Sequence, residues 1–211
     1  VLFRSPSIYT KLAFDPLKDF EHITLVALVP SVLMVPPALP AKNVREMIAL
    51  AKARPGQLIY GSTGNGTSPH ILMEMFMQMA GVKMVHVPYK GAAPALIDQI
   101  SGQIQVAFNS AVGALQHVEQ KKLRALAVST KQKFPAMPDL PTVDEAGVKG
   151  FDGSSWQGLA APAGTPKDIV VRIQSEVSKM LQQPELRNRI LQSLGGIPVG
   201  NSPDEFRSFV G

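Results

Sequence analysis

The chain contains no cysteine and a single tryptophan, and only 18% of its 211 residues are charged. The missing thiols exclude cysteine nucleophiles, thiolate zinc sites and disulfide frameworks together. Its four histidines, at 22, 70, 86 and 117, are scattered, and no His-Glu-x-x-His occurs, so neither a metal nor any other cofactor is expected. No apolar run reaches the roughly 18 residues of a membrane span; the nearest, Ile23 to Leu39, is crossed by Pro30, Ser31, Pro36 and Pro37. Positive charge is in modest excess, 21 basic against 16 acidic side chains, and the longest basic stretch, Glu119 to Arg124, is broken and carries no aromatic residue. Nucleic-acid binding is therefore disfavoured, because neutralising a phosphate backbone takes a patch. The first residue is Val1, and no basic segment followed by an apolar one opens the chain. The expectation is an export signal already removed, or a fragment.

What the chain has in quantity is turns. Seventeen glycines and 18 prolines exceed the roughly 7% and 5% of an average protein, while 45% hydrophobic content is enough to build a core. Strand-like and helix-like periods alternate from end to end. Ile23 to Val35 reads as two extended pieces around Pro30. Val44, Met47, Ile48 and Ala51 recur at helical spacing until Pro55-Gly56. The methionines at 73, 75, 77 and 79 fit a strand by alternation, but Ser68-Pro69 is a helix start, with Ser68 as the expected cap. A helix follows, and its methionines are core filler. Met84 to Val87 reads as a buried strand, Pro94 to Ile100 as a helix, and Ile104 to Phe108 as a strand. A helix over Ala111 to Gln120 then precedes a strand over Leu123 to Val128. After a proline-rich connection, Ser155 to Ala161 is extended. The longest amphipathic helix opens at Thr165-Pro166-Lys167-Asp168, with Thr165 as cap and a buried face at Ile169, Ile173, Val177 and Met180. Short strands alternating with helices of about ten residues predict an α/β fold, a mostly parallel sheet and a ligand at the strands' carboxyl ends.

The segment that carries chemistry is Ser62-Thr63-Gly64-Asn65-Gly66-Thr67-Ser68-Pro69-His70. A strand ending in small and polar residues, with glycines that let backbone N–H groups approach a ligand, followed by a helix N-terminus, suits an anion such as a carboxylate or phosphate. No Lys-Ser/Thr follows the second glycine, and the glycine spacing is not that of a dinucleotide fingerprint. Gly-x-Ser-x-Gly is absent and His70 has no evident carboxylate orienter, so hydrolase chemistry is unsupported and no enzyme is expected. Tyr89 and Lys90 follow one strand, Asn109 and Ser110 follow another, and the lone Trp156 sits among small residues. Tyr89, Asn109 and Trp156 are candidate cleft-shaping side chains, with core packing as the other reading of Trp156.

Five blocks then carry a resemblance: Tyr60 to His70, Val85 to Leu96, Leu123 to Ser129, Pro138 to Gly147, and Ser155 to Pro166, with Tyr9 to Pro16 as a further match. In this order they resemble the Bug-type substrate-binding proteins of tripartite tricarboxylate transporters. The resemblance implies a bacterial periplasmic protein with the type II, Venus-flytrap architecture: two α/β lobes joined by crossing strands, closing on a small carboxylate and delivering it to membrane subunits. The first lobe would comprise 1–29 and 154–211, short of its N-terminal part, and the second 30–153. The implied ligand is a mono-, di- or tricarboxylate, an acidic amino acid included. Its implied grip is Ser62, Thr63, Gly64, Asn65, Gly66, Thr67, Ser68 and His70, with Tyr89, Asn109 and Trp156 shaping the cleft of a monomer. Asn109 stands where the family often has Asp, and Gln157 where it commonly has an aromatic or small residue. An effector-sensing domain of a transcription regulator would share the architecture; it would need a DNA-binding module in the same gene.

Overall fold

The computed structural model describes residues 13–211; positions 9–12 of the block at Tyr9 to Pro16 lie outside the described residues. The chain divides into two compact units, one formed by residues up to Leu28 with Trp156–Gly211, the other by Val29–Ser155. Strand β1 (Phe20–Val29) ends at Pro30, which cannot donate to a ladder, and β2 (Ser31–Val35) follows at once.

The second unit continues with α1 (Val44–Ala53), β3 (Ile59–Ser62), α2 (Ser68–Ala80), β4 (Val85–Pro88), α3 (Ala92–Ile100), β5 (Val106–Ser110), α4 (Ala111–Glu119) and β6 (Arg124–Val128). Its sheet has the order β4-β3-β5-β2-β6. Four of its five strands run in one direction, in line with the expectation of a mostly parallel sheet, and β2 is the exception. β3 runs parallel to β4 and to β5, but β2 is antiparallel to both β5 and β6. No crossover helix precedes β2, so nothing forces it into the common direction. One correction concerns β4. It was expected to be buried, yet Val85 is 46% exposed because β4 is the edge of the sheet.

The core of this unit is built from Leu33, Val35, Met47, Tyr60, Met73, Phe76, Phe108 and Phe151, all buried. Phe108 stacks on Phe151 at 5.9 Å, and Phe76 meets both rings edge-on, the geometry that aromatic quadrupoles favour. Met73 and Phe76 come from one face of α2, so the helical reading of the methionine stretch holds. Ser68, however, is the first residue of that helix and not its cap. Thr67 takes the cap position without a side-chain bond to the helix.

In the first unit β7 (Ser155–Pro162), β1 and β8 (Ile197–Pro198) form a sheet in the order β7-β1-β8. Helices α5 (Lys167–Gln182), α6 (Pro184–Arg189), which runs into a π-turn at Ile190–Leu194, and α7 (Pro203–Val210) complete it. Two details of α5 differ from expectation. Pro166 occupies its cap position, while the Thr165 hydroxyl donates to the Pro162 carbonyl at 2.7 Å. Its buried residues are Val170 and Leu181, whereas Ile169 and Met180 are about half exposed. Val177 lies against the cluster of Ala27, Leu181 and Ile190. Apolar residues flank both possible faces of α5, so its rotation was open to local periodicity and was decided by the surface it meets. The ring of Phe206, on α7, lies so close over Gly158 that a Cβ there would stand 2.2 Å from it.

Candidate functional site

Three helices of the second unit begin at the same edge of its sheet, because β3, β4 and β5 are mutually parallel or in parallel sequence and each leads directly into a helix. Residues of their first turns line one pocket of about 230 Å³: Ser68 and Pro69 of α2, Ala92 and Leu96 of α3, and Ser110 and Gly113 at the start of α4. Thr63 from the glycine loop, Phe108 and Asn109 from β5, Val29 and Ser31 beside Pro30, and Ser155 complete the lining. Each helix N-terminus carries roughly half a positive charge and unpaired N–H donors. None of these lining residues is ionisable. The pocket is thus electropositive by backbone alone, and its hydroxyls supply further donors.

The hydroxyls differ in commitment. Ser155 Oγ donates to Ser68 Oγ at 2.7 Å, a bond between residues far apart in sequence. Ser110 caps α4, its oxygen accepting from Gly113 N, so its own proton is available to a ligand. The side chains of Ser31 and Thr63 bond to no other described residue.

The glycine loop behaves differently from its sequence reading. Gly64 N donates to Ser62 Oγ at 3.2 Å, and Gly66 N donates to His70 Nδ1 at 3.0 Å. Both amides expected to grip a ligand are therefore spent inside the loop. The Gly64 carbonyl accepts from Ser62 Oγ, Thr67 Oγ1 and Thr67 N. Gly64 has φ 133°, a conformation that residues with a Cβ rarely adopt. These bonds make the loop a rigid support that presents Thr63 and Ser68, rather than a nest of open donors.

Behind the loop lies a stack of three rings. Tyr60 of β3 stacks on His86 of β4 at 4.7 Å, and His86 stacks on His70 of α2 at 4.1 Å. Ser62 Oγ and His86 Nε2 are 2.7 Å apart. The Tyr60 hydroxyl donates to Glu74 Oε1, and Glu74 lies 3.7 Å from His70 Nε2. Burial, then the Glu74 carboxylate, pushes the Tyr60 phenol up from its ordinary value; burial, then the neighbouring His70, pulls His86 down.

Of the residues singled out in the sequence, the structure brings Thr63, Ser68 and Asn109 into the pocket lining. Ser62, Gly64, Gly66, Thr67 and His70 form the loop's internal bonding, and Asn65 is exposed beside them. Tyr89 does not line the pocket: its hydroxyl donates to Asp98 Oδ2 at 2.7 Å, and burial with that partner pushes it up to about 12. Trp156 belongs to the first unit, edge-on to Phe206 and Phe209 at 5.7 Å each, which is the packing reading of this residue. Ser31, Ser110 and Ser155 were missed as site residues. Ser110 had a signal, a serine at a strand end before a helical stretch; Ser31 and Ser155 had none, since only the sheet topology brings them here. Among the described residues no cluster of potential metal ligands occurs, and no helix is long and apolar enough to cross a membrane.

Comparison with known proteins bears on this arrangement. Residues 1–210 match the family described as Tripartite tricarboxylate transporter family receptor. The protein BugT of Bordetella pertussis is 30% identical over 204 residues, 97% of this chain and 62% of BugT. Among solved structures, Rpa4515 of R. palustris with adipate is 34% identical with a TM-score of 0.84, over 96% of this chain and 68% of that one. MatC of Rhodopseudomonas palustris with bound malate is 28% identical with a TM-score of 0.81, over 98% and 71%. The α/β fold matches these binding-protein structures. The chain spans between 56% and 62% of the length of the first curated relatives it matches.

Proposed function

The chain belongs to the tripartite tricarboxylate transporter receptor family, and from that premise we propose that it is the carboxylate-holding part of a periplasmic solute-binding protein, one that captures a small carboxylate and hands it to membrane subunits of a transporter without chemical turnover. The observation that carries the reading is the convergence of three helix N-termini on one uncharged, hydroxyl-lined pocket. A carboxylate needs several hydrogen-bond donors and favours positive potential; this lining provides both while leaving no cation to bind the ligand too tightly for release. Relatives solved with adipate and with malate support carboxylates as the ligand class. The transfer step and the periplasmic location rest on the family alone, as does action as a monomer.

The test is calorimetric titration of the gene product with a panel of mono-, di- and tricarboxylates, repeated on Thr63→Val and Ser110→Ala. Removing a hydroxyl that bonds a charged group costs about 1.5–3 kcal/mol, so each variant is expected to bind the preferred carboxylate roughly 10- to 100-fold more weakly while melting cooperatively. Absence of binding by every carboxylate, or unchanged affinity in both variants, overturns the assignment of this pocket.

A further inference from the structure

One side-chain oxygen in the pocket, on Asn109, can only accept, whereas the hydroxyls around it donate or accept, and its orientation is fixed from the core outward. The starting point is the backbone carbonyl of Met34 in β2, which can only accept. Gln99 of α3 is fully buried and lies 2.8 Å from that oxygen through Nε2. Its amide must therefore turn its NH₂ toward Met34 and its carbonyl the other way. That carbonyl, Oε1, is 2.9 Å from Asn109 Nδ2 and again can only accept, so Asn109 must present its own NH₂ inward. What remains is Asn109 Oδ1, directed away from Gln99 on a side chain that lines the pocket. It bonds to no other described residue and is open to solvent. Rotating the Asn109 amide would set two carbonyl oxygens against each other in a buried place, which the chain of bonds opposes.

We infer that Asn109 is a specificity-determining residue: its locked Oδ1 selects carboxylates that carry a hydrogen-bond donor, a hydroxyl or an ammonium group, over carboxylates of the same skeleton without one. Gln99 acts through it as a positioning residue. This rests on the reading of the pocket as a carboxylate site and adds which carboxylates it prefers. A bare methylene, or a second carboxylate, opposite Oδ1 leaves the oxygen desolvated and unpaired, and sites that hydrogen-bond a ligand group reject analogues lacking it. An aspartate in the same place would accept equally but add a charge repelling the ligand's own.

Calorimetry with two matched pairs tests this: malate against succinate, and glutamate against glutarate. The donor-bearing member of at least one pair is expected to bind tenfold or more tightly. Asn109→Leu should remove that preference while the donor-free member still binds. Gln99→Met fills the same space without the amide, frees Asn109 to rotate, and should collapse the same ratio with affinity for the donor-free member kept within about threefold. Equal binding within both pairs, or a preference that survives Asn109→Leu, overturns the role of Asn109 and leaves the carboxylate site standing. Failure of all four probes together with a carboxylate panel overturns the site itself, and the inference with it.

Discussion

Replacing Gly64 by alanine tests the view that the glycine loop is a rigid support. At φ 133° a residue with a Cβ is held in a sparsely populated region, at a cost of about 1–3 kcal/mol. Space is not the obstacle, since an added Cβ would meet Tyr89 O at 3.5 Å and Thr67 Cγ2 at 3.6 Å, ordinary contacts. The loop can absorb the strain or relax out of it. Relaxing would break the bonds that Gly64 makes to Ser62 Oγ and receives from Ser62 Oγ, Thr67 Oγ1 and Thr67 N. At about 1 kcal/mol net for each bond, these outweigh a strain near the middle of its range, so the loop should keep its shape. The expected outcome is a loss of about 2 kcal/mol, which for a chain of this size lowers Tm by roughly 4–8 °C, with carboxylate affinity changed less than about threefold. Gly56, at φ 71° with nothing near its missing Cβ, is the comparison: Gly56→Ala should cost about 1–2 kcal/mol and leave binding untouched. Scanning calorimetry with and without ligand reads both quantities. An unchanged Tm in Gly64→Ala, or a tenfold loss of affinity with little loss of stability, refutes the rigid-support argument.

Three further outcomes follow from the same structure. His86 is depressed in the folded state by burial and by His70, so the unfolded chain takes up the proton first; its stabilising contribution is present above the unfolded value of about 6.5 and is lost as pH falls below it. Tm should therefore drop between about pH 7 and pH 5, with a shallower slope in His86→Gln that leaves the contribution of the similarly depressed His22. Because no ionisable side chain lines the pocket, affinity for a fully ionised carboxylate should stay within about twofold from roughly pH 7.5 to 9.5, and a tenfold slope in titrations over that range would point to a charged group in the grip. Phe206→Ala removes a fully buried ring that contacts Gly158, His22 and Trp156; a loss of about 3–5 kcal/mol is expected in denaturant melts followed by the fluorescence of Trp156, and a loss under 1 kcal/mol would refute the packing described for this unit.

Much of the local structure was legible because it depends on residues a few positions apart. Pro30 dividing two strands, Pro55-Gly56 closing a helix and Ser68-Pro69 opening one are matters of φ, missing donors and capping. The same short range explains the errors. Whether Ser68 or Thr67 holds the cap differs by one residue. The rotation of α5 turned on whether Ile169 or Val170 faces the core, and both are apolar. The partial exposure of β4 could not be read from Val85-His86-Val87, because edge and centre are properties of the whole sheet.

For the site, sequence determined that a short strand would deliver a glycine loop and a helix start. It identified Thr63, Ser68 and Asn109, since each sits at a strand-to-helix junction. Only the tertiary structure decided that the amides of Gly64 and Gly66 face inward, because their acceptors are side chains whose rotamers no periodicity encodes. Only it collected Ser31 and Ser155 into the same pocket. The orientation of Asn109 depends on Gln99, and that of Gln99 on the Met34 carbonyl 65 residues away. An amide's two ends are alike to any pattern of sequence, and it takes a buried backbone oxygen to tell them apart.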